Sequence, residues 1–183
     1  HYDLPTGIAA GMADSKIPDA QSGYEKAYTV AMAGHSGANL VYESAGMQAS
    51  LLGFSFEGAT IDNDMLGAIN RSVRGIETDA DSIAVETIAD VCMNGPEHFL
   101  GHDATLSRMQ RDYVYPQVGN RLTPAEWKEI GAHPINVPAQ QKTQEILATH
   151  FPAHVNDDLD ARLREEFDIR LPREWMKAKA NGR

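Results

Sequence analysis

Asp14, Ser15, Lys16 and Asp19 crowd into one short stretch, Ala13-Asp-Ser-Lys-Ile-Pro-Asp19, directly after a run of small and apolar residues. A carboxylate there could hold a cation, and a lysine could donate a proton or clamp an anion. The structural alternative is that Asp14 and Asp19 cap turns and the helix that follows. Glu43 closes a second apolar run, Asn39-Leu-Val-Tyr-Glu43. Strand alternation sets Leu40 and Tyr42 on one face, read as the helix-facing side, and Asn39, Val41 and Glu43 on the other. In a barrel that other face is the lumen. A structural salt bridge is the rival role for Glu43, because a buried carboxylate is costly without a partner.

Tyr24, Tyr28, Tyr42, Phe54 and Phe56 gather in this same region although aromatics are only 7% of the chain. Their faces could contact a quaternary ammonium by cation-π attraction, or each could serve as core. Glu97-His-Phe-Leu-Gly-His102-Asp103 has two histidines four apart, but Phe99 stands where a zinc hydrolase needs glutamate. Helix capping by His102 or Asp103 is preferred there, and no metal site is expected. Gly34-His-Ser-Gly37 lacks the features of a nucleophile elbow or a phosphate loop and reads as a helix end. Cys92 has no adjacent basic residue to lower its pKa and is assigned to the core.

The elements that must position these residues begin with a strand in Leu4–Met12, a helix opened by Pro18 and Asp19 and ended by Gly34 and Gly37, and a strand in Asn39–Glu43. This is one parallel β-α-β unit, with both polar stretches outside the carboxyl ends of its strands, where barrels and open α/β sheets bind ligands. The Gly46–Gly58 stretch reads as an apolar loop able to fold over a site. Only helices are expected beyond it. Asp62 or Asp64 is assigned as the cap of a helix stopped by Gly75, and Thr78-Asp-Ala-Asp81 as a weak capping box before Ala84, Ile88 and Val91. Further helices start at His102 or Asp103, at Thr123-Pro-Ala-Glu126 with a full capping box, and across Pro138–Phe151 and Asn156–Phe167. The charged end from Lys177 is expected to fray. The expected division is a 1–75 unit holding the β-α-β motif with its loop and helix, and a helical 76–183 region.

With 183 residues and 42% hydrophobic content, one ordinary domain or part of one is expected. Sixteen basic against 26 acidic residues give a formal charge of −10, which argues against nucleic acid and anionic membrane partners. No apolar run is long enough to span a bilayer, no secretory pattern opens the chain, and the single cysteine precludes an internal disulfide. A cytoplasmic location is expected. The chain begins at His1 without an initiator methionine and enters a strand almost at once, so it reads as the back part of something longer. A two-stranded parallel sheet needs cover on both faces, and the missing strands are expected from chain outside this sequence or from a partner.

Four stretches run in order along most of the chain. They are Asp14-Ser-Lys-Ile-Pro-Asp-Ala-Gln-Ser-Gly-Tyr-Glu-Lys26, Gly37-Ala-Asn-Leu-Val-Tyr42 with Ala45-Gly46, Ile69-Asn-Arg-Ser-Val-Arg-Gly75, and His98-Phe-Leu-Gly-His-Asp-Ala-Thr-Leu106 leading to Tyr115-Pro116. Together they resemble the trimethylamine methyltransferase family, corrinoid-dependent enzymes with a TIM-barrel fold. The resemblance implies an α/β fold in which this chain is the carboxyl-terminal part of a TIM (β/α)8 barrel followed by a helical tail. It implies transfer of a methyl group from a methylated amine to the Co(I) corrinoid of a separate carrier protein, with no cofactor held tightly by this chain, and a homo-oligomer is expected. Trimethylamine-using members carry pyrrolysine. This sequence has none, which implies the branch using quaternary amines such as glycine betaine. No catalytic residue is carried over.

A quaternary ammonium has neither proton nor lone pair, so only carboxylates, dipoles and aromatic faces can hold it. Glu43 and Asp14 are the candidates for charge complementarity, with Tyr24 and Tyr42 as walls; Tyr42 is the weakest because alternation turns it toward the helices. Two rivals stay open. One is a noncatalytic helical interaction module or subunit fragment that docks a partner, and the other is a different barrel enzyme.

Overall fold

The structure, a computed structural model, describes residues 3–177. Strand β1 (Gly7–Ala9), helix α1 (Ala20–His35) and strand β2 (Leu40–Tyr42) form the expected parallel unit, with Gly7 paired to Leu40, Ile8 to Val41 and Ala9 to Tyr42. Both strands are shorter than expected. Gly11 (φ +95°) turns the first strand away, and Glu43 (φ +65°) leaves the ladder at the end of the second. The Asn39 side chain accepts the Thr6 N–H at 2.9 Å and fixes the register at the other end.

Asp19 caps α1 through the Ser22 N–H, Pro18 lying just outside the helix, and the helix ends at Ser36 and Gly37, so of the two glycines expected to end it only Gly37 does. Gly34 lies inside the helix, where a Cβ would come 2.9 Å from the Val73 methyl, so its bareness permits close helix approach.

The stretch expected to be a loop contains an antiparallel hairpin, β3 (Met47–Gln48) with β4 (Gly53–Phe54). Helix α2 (Phe56–Arg74) follows at once, capped by Ser55 and stopped by Gly75. The expected caps Asp62 and Asp64 are therefore interior residues of α2. Asp64 instead accepts the backbone N–H groups of Gln117, Val118 and Gly119 at 2.7 to 2.9 Å, tying a distant connection to the helix. The core of the unit is small: Ala10, Val30 and Ala33, with Val41, Met65, Leu66 and Ile69 against them.

Beyond α2 the described residues are helical. Asp79, not Thr78, caps the short α3 (Ala80–Ile83); Ala84 then turns left-handed before α4 (Val85–Ala89) and a wide π turn over Asp90–Asn94. Within that turn Val91 is buried and Cys92 beside it is exposed, contrary to the core role expected for Cys92. His102 caps α5 (Asp103–Asp112), and Thr123 with Glu126 forms the full capping box of α6 (Pro124–Glu129). Helix α7 (Asn136–Thr149) returns to pack on α2, its buried Ala139 and Thr143 facing that helix and the Thr143 hydroxyl 2.9 Å from that of Thr60. Asn156 caps α8 (Asp157–Glu166), and a 3-10 turn over Arg173–Met176 follows. Past Lys177, the end expected to fray lies outside the described residues. Among them no helix is long and apolar enough to cross a membrane.

Candidate functional site at the strand ends

Because β1 and β2 are parallel, their exit loops leave on the same side, and backbone hydrogen bonds join those loops. The Ala49 N–H donates to the Ser15 carbonyl at 2.8 Å and the Ser50 N–H to that of Ala13 at 3.0 Å. The Ser50 hydroxyl also donates to the Asp14 carboxylate, while Lys16 Nζ donates to the Asp14 carbonyl at 2.9 Å. Underneath, Glu25 accepts the backbone N–H groups of Asp14 and Ser15 at 2.8 and 3.4 Å. Asp19 is engaged as the α1 cap, and the Ser22 N–H, then the Ser15 hydroxyl, holds its carboxyl below the usual range. Capping thus describes Asp19, whereas Asp14 keeps its carboxylate at the seam between the loops.

The hairpin tip that reaches this seam is held in an unusual backbone. Ala49, Ser50 and Leu51 all have positive φ, at +52°, +54° and +72°, a left-handed run without glycine that costs on the order of 1 kcal/mol or more per residue. The bonds to Ala13 and Ser15 hold it there. Gly46, at φ +75°, lies under the Phe54 ring, where a Cβ would fall 2.3 Å from a ring carbon. Phe54 in turn meets Phe56 edge to face at 5.4 Å.

The expected faces of β2 are reversed. Val41 packs against Ala10, Val30 and Ala33, while Leu40 and Tyr42 are 61% and 46% exposed on the opposite face with Gly7 and Ala9. The small side chains of Ala10 and Ala33 let α1 lie close to the sheet, and Val41 packs into that contact. Tyr42 therefore lies on the face away from the helices, the placement sequence reading denied it. Glu43 is exposed at the strand end, and none of the ion pairs among the described residues includes it. Asp14, Tyr42 and Glu43 thus share one end of the sheet. Tyr24 does not join them: it is two residues from both Ser22 and Lys26 on α1, which puts it on the opposite side of the helix from that buried line.

Sequence reading missed the buried polar centre beneath the loops. Lys26, fully buried on α1, donates to Asp62 Oδ2 on α2 at 2.6 Å, and the same oxygen accepts the Gly46 N–H at 2.7 Å. Gln48 is buried beside them and donates to the Ser22 hydroxyl at 2.9 Å. The signal was available as two stripes: Ser22, Lys26, Val30 and Ala33 on α1, and Gly58, Asp62, Met65 and Ile69 on α2, each with one charge at a core-facing position. Away from this centre, His102 Nδ1 accepts the Ala104 N–H at 3.1 Å, the capping role preferred for it. Among the described residues no group of three histidine, cysteine or acidic side chains could hold a metal ion.

Residues 1–174 match the family model described as trimethylamine methyltransferase (MTTB). The trimethylamine methyltransferase MttB2 of Methanosarcina mazei is 34% identical over 159 residues, 86% of this chain and 31% of that protein. MttB of Desulfitobacterium hafniense is 32% identical over 164 residues, 90% of this chain and 32% of that protein. The glycine betaine methyltransferase of Desulfitobacterium hafniense strain Y51 is 29% identical over 162 residues, 88% of this chain and 33% of that protein. The chain thus spans about a third of the length of these relatives.

Proposed function

The chain belongs to the trimethylamine methyltransferase family, and on that premise we propose that it forms one side of the substrate pocket of a TIM-barrel amine methyltransferase. In this reading β1-α1-β2 is the closing unit of the barrel, and the α3–α8 region is its helical tail. The donor is a methylated amine, a quaternary one such as glycine betaine, the substrate in the name of one of its relatives. The acceptor is the Co(I) corrinoid of a separate carrier protein, met as a co-substrate. The C–N bond breaks with its electron pair staying on nitrogen, while the acceptor's pair forms the new bond to the methyl carbon. Neither partner needs a proton from the protein, so this chain's contribution is to orient the ammonium group and keep its methyl in line.

The observation that carries the reading is the joined pair of strand-end loops. Glu43 and the Asp14 carboxylate lie at the carboxyl end of the parallel strands, the end at which barrels bind ligands, and the outward Tyr42 ring leans back along the sheet over Gly7. The exposed face of Gly7, Leu40 and Tyr42 supports it as well, since parallel sheets are covered on both sides. In the complete enzyme with its carrier, Glu43→Gln is expected to raise KM for glycine betaine about tenfold, equivalent to ~1.4 kcal/mol. Tyr42→Ala is expected to raise it roughly 3- to 30-fold while Tyr42→Phe changes little. Unchanged KM in both Glu43→Gln and Tyr42→Ala would remove this end of the sheet from the site.

A further inference from the structure

We infer that Lys26 and Asp62 are positioning residues, and that their buried pair sets the geometry of the loop following β2 through one backbone hydrogen bond, Gly46 N–H to Asp62 Oδ2. The inference rests on the reading above for the loop's role and on geometry alone for the device. A buried lysine-aspartate pair is a poor way to gain stability, because apolar residues of similar size in the same place are often as stable or more so. Its presence here calls for another use, and the shared oxygen supplies one. Asp62 Oδ2 holds Lys26 Nζ at 2.6 Å from α1 and the Gly46 N–H at 2.7 Å from the loop, so both helices bear on a single peptide unit.

That peptide unit sits between the two ends of the loop. On one side, Glu43 turns out of β2 with φ +65°; on the other, β3 leads to the left-handed tip whose Ser50 meets Asp14. Gly46 has no side chain to hold it, and its carbonyl is taken at 2.9 Å by the N–H of Ser55, the α2 cap just past the far strand of the hairpin. The N–H is thus the point where the loop is fastened to the helices, and Gln48, bonded to Ser22, fastens the next turn of chain to the same buried line. Lys26 acts at one remove. It neutralises Asp62 and fixes the carboxylate so that the oxygen faces Gly46.

The test compares two double variants of the complete protein that both remove the charges and differ in one acceptor. Lys26→Met with Asp62→Asn keeps an oxygen for the Gly46 N–H, and Lys26→Met with Asp62→Leu does not. By hydrogen exchange, the wild-type Gly46 amide is expected to be among the slowest in residues 44–50. It is expected to stay within about threefold of that rate in the asparagine variant and to speed up roughly tenfold in the leucine variant. With amine and carrier, kcat is expected to fall up to about 100-fold in the leucine variant and only a fewfold in the asparagine one. Equal exchange and equal kinetics in the two folded variants would overturn the inference, as would fast exchange of Gly46 in the wild type, which needs no variant. If the wild-type protein demethylates no amine, the proposed function fails while the exchange arm still decides the positioning.

Discussion

Removing Lys26 alone would leave the Asp62 carboxylate buried with a single backbone N–H for company. An uncompensated buried charge of this kind costs about 3–5 kcal/mol, so Lys26→Met is expected to lower the urea midpoint of the complete protein sharply, and Asp62→Asn in the same background to recover part of the loss. A Lys26→Met protein as stable as wild type would show that the pair carries no such weight. Asp19 gives a pH signature of opposite origin. Its carboxyl is held below its ordinary value of 3.8 by the Ser22 N–H and the Ser15 hydroxyl, so the folded state prefers the charged form. The stability this contributes is present above 3.8 and is lost as pH falls through the lower folded value. Asp19→Asn keeps a capping oxygen without a titrating group. Its urea midpoint relative to wild type is therefore expected to improve between pH 5 and pH 3, and a pH-independent difference would refute the assignment. The capping role was legible because a cap bonds within three residues of itself. Lys26 and Tyr42 were not, since the partner of one lies 36 residues away and the facing of the other depends on which side of β2 packs against α1.

Among the elements, the loops after β1 and β2 touch at Gly11. A Cβ there would lie 2.7 Å from the Ser44 Cα and 2.8 Å from its carbonyl oxygen, and the residue's φ of +95° is strained for any side chain. Backbone cannot retreat as a flexible side chain can. Gly11→Ala is therefore expected to cost on the order of 2–4 kcal/mol, from the left-handed backbone and overpacking together, and to accelerate amide exchange in residues 44–50. Gly34→Ala is a useful control, because it meets only the Val73 methyl at 2.9 Å and gains helix propensity, so a smaller loss is expected. A loss at Gly34 equal to that at Gly11 would mean that helix spacing, rather than loop contact, is what glycine protects. The helices with polar caps were readable from sequence, as at Thr123 and Asn156, whereas the β3–β4 hairpin was not. Its strands are two residues long, too short for alternation to register, and its tip uses Ala49, Ser50 and Leu51 in a backbone that none of these residue types signals. The same blindness moved the start of α2, since the true cap Ser55 stands directly after that hairpin.

At the scale of the molecule, the sheet is the unbalanced part. Helices cover the Ala10 and Val41 side, though Ile8 beyond them stays 41% exposed, while the Gly7, Leu40 and Tyr42 side faces outward, with Leu40 61% exposed. Two parallel strands do not stabilise themselves in water, and the small cluster around Val30 is shared with α2 rather than built by the strands. In the proposed barrel the outward face becomes the interior, and the loops of other strands supply the opposite wall of the pocket. The rival, a self-standing interaction module, places no strands over that face. The two readings separate when the 183-residue chain is compared with the complete protein. The barrel reading expects the chain alone to bind an apolar dye such as ANS, to lose the slow exchange of residues 7–9 and 40–42, and to transfer no methyl group, with all three restored to the complete protein's values when the remaining chain is supplied in trans or by fusion. A chain that is monomeric, protected at those residues and indifferent to the added portion would favour the module. The slow-exchange measurement decides between them even if no substrate is found, because it reports whether something covers Leu40 and Tyr42.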